Sequence, residues 1–169
     1  MKNILFPLTV LSLGACTVFA QSPNSLTSVL VKHWQTSKTF TLAVIEKMPD
    51  EQFSFKATPA EMSFGEMASH IADANMSYCS SAAGAKPPAK GTEFSKTAVT
   101  KHLTESFDLC IAGMQKSDEA ALLKTIGQGA RQSTPFERYW GAFTHTAHHR
   151  AQLEVYLRLK NIEPPEYKF

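Results

Sequence analysis

Four stretches of about twenty residues place their apolar side chains every three to four positions, and no stretch alternates apolar with polar residues over the length of a strand. That pattern restricts the chain to helices packing on helices. The first stretch runs from about Ser25 to Lys47, with Leu26, Val29, Leu30, His33, Phe40, Val44 and Ile45 on its stripe, and Pro49 ends it. Met48-Pro49-Asp50-Glu51 reads as a turn into a short capping stretch. The second begins near Ser63, where Glu66 three residues on gives the form of a capping box, and continues through Met67, His70, Ile71, Ala74 and Tyr78 to about Ala82.

Gly84-Ala-Lys-Pro-Pro-Ala-Lys-Gly91 then bars further helix, because proline lacks an amide hydrogen and clashes with the preceding turn. A third helix is expected from about Lys96 to Met114, burying Val99, Leu103, Phe107 and Ile111, with a short one between Ser117 and Ile126. After Gly127-Gln-Gly129 the last helix runs from about Pro135, suited to a first turn, to Lys160. The expected fold is all-α: an antiparallel four-helix bundle with one core, occupying residues 25–168 without repeats or a second domain.

The chain has 169 residues, enough for such a core. Its net charge of +2, with no long basic run, gives nucleic-acid binding no electrostatic support. Residues 1–20 read as a cleaved secretory signal: Lys2, an apolar run from Ile4 to Leu13 too short to span a bilayer, then Val18-Phe19-Ala20 before Gln21. The expected location is therefore periplasmic or secreted, with no transmembrane helix. Leu13-Gly14-Ala15-Cys16 offers an alternative, a lipobox with the chain anchored at Cys16. Export also bears on Cys79 and Cys110: an oxidising compartment permits a disulfide between them, while cysteines on separate helices serve equally as small core residues. The pairing stays open at this level.

The chemistry concentrates in His145-Thr-Ala-His148-His149-Arg150-Ala-Gln152. At about 100° per residue, His145 and His149 lie roughly 40° apart on the last helix, the i, i+4 relation in which two imidazoles can grip one transition metal. They border the stripe of Tyr139, Ala142, Leu153 and Leu157, whereas His148 points to its edge and Arg150 outward, toward Glu154 or another helix. His70 lies on the inward stripe of the second helix and supplies a third ligand. Three inward histidines each need a polar partner, and one metal ion satisfies them better than mutual hydrogen bonds between neutral rings. Gln152 is placed to hydrogen-bond a ligand ring. His33 is a weaker candidate for lining a pocket, and Asp73 and His102 read as solvated. A three-histidine site leaves a coordination position for water or a thiol, although no catalytic residue can be named.

These residues resemble the DinB-like (DinB/YfiT) superfamily of metal-binding four-helix bundles. The resemblance rests on Glu66-Met-Ala-Ser-His70-Ile-Ala-Asp-Ala, on His145-x-x-x-His149-Arg-x-Gln, on the Tyr156 to Pro165 ending, and on Ile45-Glu-Lys-Met-Pro-Asp-Glu-Gln-Phe53. It covers about residues 25–168, with Ala151 standing where glycine is common. The resemblance implies a divalent ion, zinc or nickel, held by His70, His145 and His149. It further implies hydrolase or thiol S-transferase chemistry on a small molecule, and a homodimer, since family members are often dimeric. The alternative is a bundle in which the metal only stabilises the fold or a ligand site.

Overall fold

The computed structural model describes residues 25–168, so the expected signal sequence and Cys16 lie outside the described residues. Five helices form: α1 (Leu26–Lys47), α2 (Phe64–Ala82), α3 (Lys96–Gln115), the short α4 (Glu119–Leu123) and α5 (Pro135–Leu159). Each long helix starts at a hydroxyl side chain that accepts from an otherwise unpaired amide: Ser25, Ser63, Ser95 and Thr134. The Ser63–Glu66 capping box expected from the sequence is made in both directions, and Thr134 with Glu137 builds a second one ahead of Pro135. The turn after Pro49 closes as a single 3-10 turn, Asp50–Gln52.

The four long helices surround one core that includes Trp34, Phe40, Phe64, Phe107, Leu103 and Leu157, all nearly inaccessible to water. Packing neighbours follow the ring α1, α3, α2, α5, with α4 against α5, so α1 and α2 occupy opposite corners. Cross-helix contacts give the directions. Glu46 meets Lys96 while Thr27 meets Ser117, which makes α1 and α3 antiparallel. Phe64 meets Tyr156 while Asn75 meets Thr146, so α2 and α5 are antiparallel too. By contrast, α2 and α3 run parallel, through Asp73–His102, Asn75–Ser106 and Cys79–Cys110. So do α1 and α5, through Trp34–Phe143 and Ser37–Arg150. The expected four-helix bundle thus has an up-down-down-up order.

Parallel neighbours require a connection as long as the helix itself. The α2 helix rises about 28 Å, and a dozen residues can span up to about 40 Å. The proline-containing link 84–95 does this by returning along α2. Gly91 N donates to Asp73 Oδ1 at 3.0 Å, and that carboxylate oxygen also lies 2.7 Å from His102 Nε2. A Cβ on Gly91 would sit 2.5 Å from Ser69 Oγ and 2.9 Å from His102 Cδ2, so only glycine lets the link approach this closely. Asp73 and His102, expected to be solvated, are instead a largely covered pair that fastens the link. The reason is tertiary: the returning chain covers a face that would otherwise be surface.

Cys79 and Cys110 form a disulfide between α2 and α3, with Cα atoms 5.2 Å apart, which closes the question left open by the sequence. Among the described residues, no helix is long and apolar enough to cross a membrane.

Candidate metal centre

The capping box at Ser63 sets where α2 starts and thereby its rotation, which puts His70 on the side facing α5. Likewise the Thr134 box and Pro135 start α5 so that His145 and His149, one turn apart, face α2. The antiparallel pairing of α2 and α5 brings all three rings together, with centroids 4.9 Å (His70–His145), 4.8 Å (His70–His149) and 4.4 Å (His145–His149) apart. One ring nitrogen from each lies within 4.8 Å of the others, and all three residues are half-buried. His148 is exposed and outside the cluster, although its ring stacks edge-on against His149 at 4.8 Å. Tyr78, not singled out by the sequence, flanks the site with its ring 6.5 Å from that of His145.

The nitrogen chemistry fits a divalent cation. His70 Nε2 and His145 Nε2 are 3.2 Å apart. Two imidazole nitrogens bound to one tetrahedral zinc are separated by about 3.3 Å. His149 Nδ1 lies 2.6 Å from Gln152 Oε1, which fixes the tautomer: Nδ1–H donates to the amide oxygen and Nε2 keeps its lone pair. Burial, followed by the neighbouring His149, His70 and His148, pushes the His145 pKa down to about 4. His149 is lowered by burial, with the Gln152 hydrogen bond opposing the shift. Both rings are therefore neutral at physiological pH, the form that donates to a metal. His145 Nδ1 is buried without a hydrogen-bond partner among the described residues. The three-histidine group could hold a metal ion.

The sequence profile of the DinB family matches residues 21–168, most of the chain. The chain belongs to the DinB family. Solved DinB-like proteins share its fold. One from Bacillus subtilis is 22% identical, with a TM-score of 0.71 over 83% of this chain and 97% of the other. One from Bacillus cereus is 16% identical, with a TM-score of 0.73 over 87% of this chain and all of the other. No functionally curated protein matches significantly.

Within this DinB-family bundle, two further residues sit differently from their sequence reading. Arg150, expected outward and paired with Glu154 or another helix, does pair with another helix but is buried at 7% exposure: Nη1 donates to Ser37 Oγ and Thr41 Oγ1 of α1, and the guanidinium lies 4.4 Å over the Phe40 ring. The face of α5 opposite the histidines packs on α1, so there is no outward side at that position; Glu154 pairs with Arg158 instead. His33 does line a cleft, but one between α1 and α5, away from the three histidines.

Proposed function

We propose that this chain is an exported metal-binding protein in which His70, His145 and His149 hold one divalent ion, zinc or nickel, for chemistry on a small molecule. The observation that carries this reading is the convergence of three imidazoles at a half-buried seam, one of them oriented by Gln152. Three protein ligands leave a coordination position open, unlike closed structural sites. When bound, such an ion would supply Lewis acidity toward a water or thiol, in hydrolase or thiol S-transferase type chemistry on an electrophile. The residues of the chain do the rest. Gln152 holds His149 in the donor tautomer, the helix walls keep His145 unprotonated, and Tyr78 bounds the seam. Export is supported by the apolar Ile4–Leu13 run and by the Cys79–Cys110 disulfide, which an oxidising compartment maintains.

A second reading, a non-catalytic metal-stabilised bundle, is favoured by one observation. Among the described residues no carboxylate joins the three histidines to act as a base, and Asp73 is committed to His102. Metal analysis of dialysed protein tests the shared premise: about one equivalent in the wild type and little in His149→Ala or His70→Ala. Undiminished metal in either variant would remove both readings. Metal-dependent turnover in a broad hydrolase and thiol-transferase screen selects the first; chelation that lowers thermal stability without any turnover selects the second. Mass spectrometry of the mature N-terminus separates release at Gln21 from lipidation at Cys16.

A further inference from the structure

On the far side of α5, two clefts meet along its parallel seam with α1. The first, about 270 Å³, is walled by Val29, Leu30, Trp34, Phe136, Trp140 and Phe143. The second, about 80 Å³, is lined by Ser37, Arg150 and Lys168 among others. His33 and Phe143 line both, so the two form one groove. Helical spacing explains the arrangement. Phe136, Trp140, Phe143, Ala147 and Arg150 recur at four and three residues on α5, as Leu26, Leu30, His33 and Ser37 do on α1. The α5 stripe lies about 180° around the helix from His145, so the groove is separate from the metal centre.

Its two ends differ in chemistry. At the apolar end Trp140 is 53% and Val29 44% exposed, and the Phe136, Trp140 and Phe143 rings stack in a row. At the polar end a guanidinium is buried with only neutral groups in contact, Ser37 Oγ, Thr41 Oγ1 and the Phe40 face; Glu154, one turn along α5, attracts it from beyond ion-pair distance. No carboxylate pairs with it among the described residues, and no Asp or Glu lines either cleft. Buried charges are ordinarily matched by an opposite charge, and Arg presents its donors in a fork that fits a carboxylate. From Phe143 to Arg150 the helix rises about 10 Å, the length of a medium alkyl chain or an aryl-alkyl group.

We propose that this groove binds an amphipathic monocarboxylate, with the apolar tail between Trp34 and Trp140 and the carboxylate on Arg150 and Lys168. The tail supplies burial against the aromatic row, and the head group supplies the directly contacting anion that the guanidinium lacks. Neither depends on the metal centre.

Trp34 and Trp140 are the only two tryptophans of the chain, and both line the groove, so intrinsic fluorescence reads it directly. Full-length processed protein is titrated with octanoate, with 1-octanol and with acetate. The expected result is a saturable blue shift with octanoate, with octanol at least about tenfold weaker because it lacks the charge, and no response to acetate. Lys168→Ala, at an exposed position, should weaken octanoate several-fold and leave octanol unchanged. Trp140→Ala should weaken both while keeping the wild-type melting temperature. Arg150→Met should abolish the preference for octanoate; if it does not fold, the octanol comparison and Lys168→Ala still decide. Equal binding of octanol and octanoate would overturn the proposal. So would no saturable response, or a dimer by sedimentation in which Trp140 is already buried by a second copy.

Discussion

Thr146 Oγ1 on α5 donates to Asn75 Oδ1 on α2 at 3.0 Å, inside the bundle and fully shielded from water. Asn75 Nδ2 reaches Ser106 Oγ of α3 at 3.4 Å, so one amide ties three helices. Thr146 follows His145 directly, and Asn75 lies a turn and a half beyond His70. This hydrogen bond therefore fixes the sliding register in which the three imidazoles meet.

Replacing Asn75 with alanine strands the Thr146 hydroxyl in the core, while the Ser106 hydroxyl keeps its bond to Leu103 O. A loss of about 2 kcal/mol is expected in urea unfolding, together with weaker metal retention. Loss of stability with unchanged metal affinity would show that the register is held elsewhere.

Gln152→Ala removes the acceptor for His149 Nδ1 while leaving every proposed ligand in place. Metal affinity measured by chelator competition should fall about 10- to 100-fold, with little change in melting temperature of the metal-free protein. An affinity within twofold of wild type contradicts the orienting role.

Acid should weaken the metal-free fold through His145. Its pKa is about 4 when folded, against an ordinary value of about 6.5. Between these values the unfolded chain holds a proton that the folded chain does not. Stability is thus full above about pH 6.5 and declines as pH falls toward 4, with His149 acting in the same direction. Urea midpoints at pH 7, 5.5 and 4 should trace this decline, and His145→Ala should flatten it.

The Cys79–Cys110 bridge closes a sequence separation of 31 residues. Loop-closure entropy makes that worth about 3–4 kcal/mol. Replacing both cysteines with alanine should lower the melting temperature on the order of 10 °C. An unchanged melting curve under reducing and oxidising conditions would argue that the bridge does not form in solution.

Gly91→Ala should destabilise by about 1–3 kcal/mol, because the new methyl meets Ser69 and His102. Hydrogen exchange of the Gly91 amide, protected by Asp73 in the wild type, should accelerate in Asp73→Ala.

Much of this was legible in the residues themselves. Helix starts are decided within four residues by a side chain reaching its own backbone, so Ser63–Glu66 and Pro135 announced α2 and α5 almost to the residue. The histidines were legible for a similar reason: 3.6-residue periodicity alone sets His145 beside His149 and turns His70 inward. What periodicity could not say is which helix stands opposite. The pairing of Arg150 with another helix was legible, but its burial was not, because a rotation angle is measured from its own helix and α1 covers the side that looked outward. Asp73 and His102 were misjudged because the link that buries them returns from α2 along a path that only the parallel α2–α3 order requires. The sequence by itself determined the helices, their caps and the shared face of His145 and His149, since these depend on contacts within one or two turns. The up-down-down-up order, the Cys79–Cys110 bridge, the loop fastening and the groove beside Arg150 were decided only by tertiary structure, because each joins residues whose proximity no local interaction encodes.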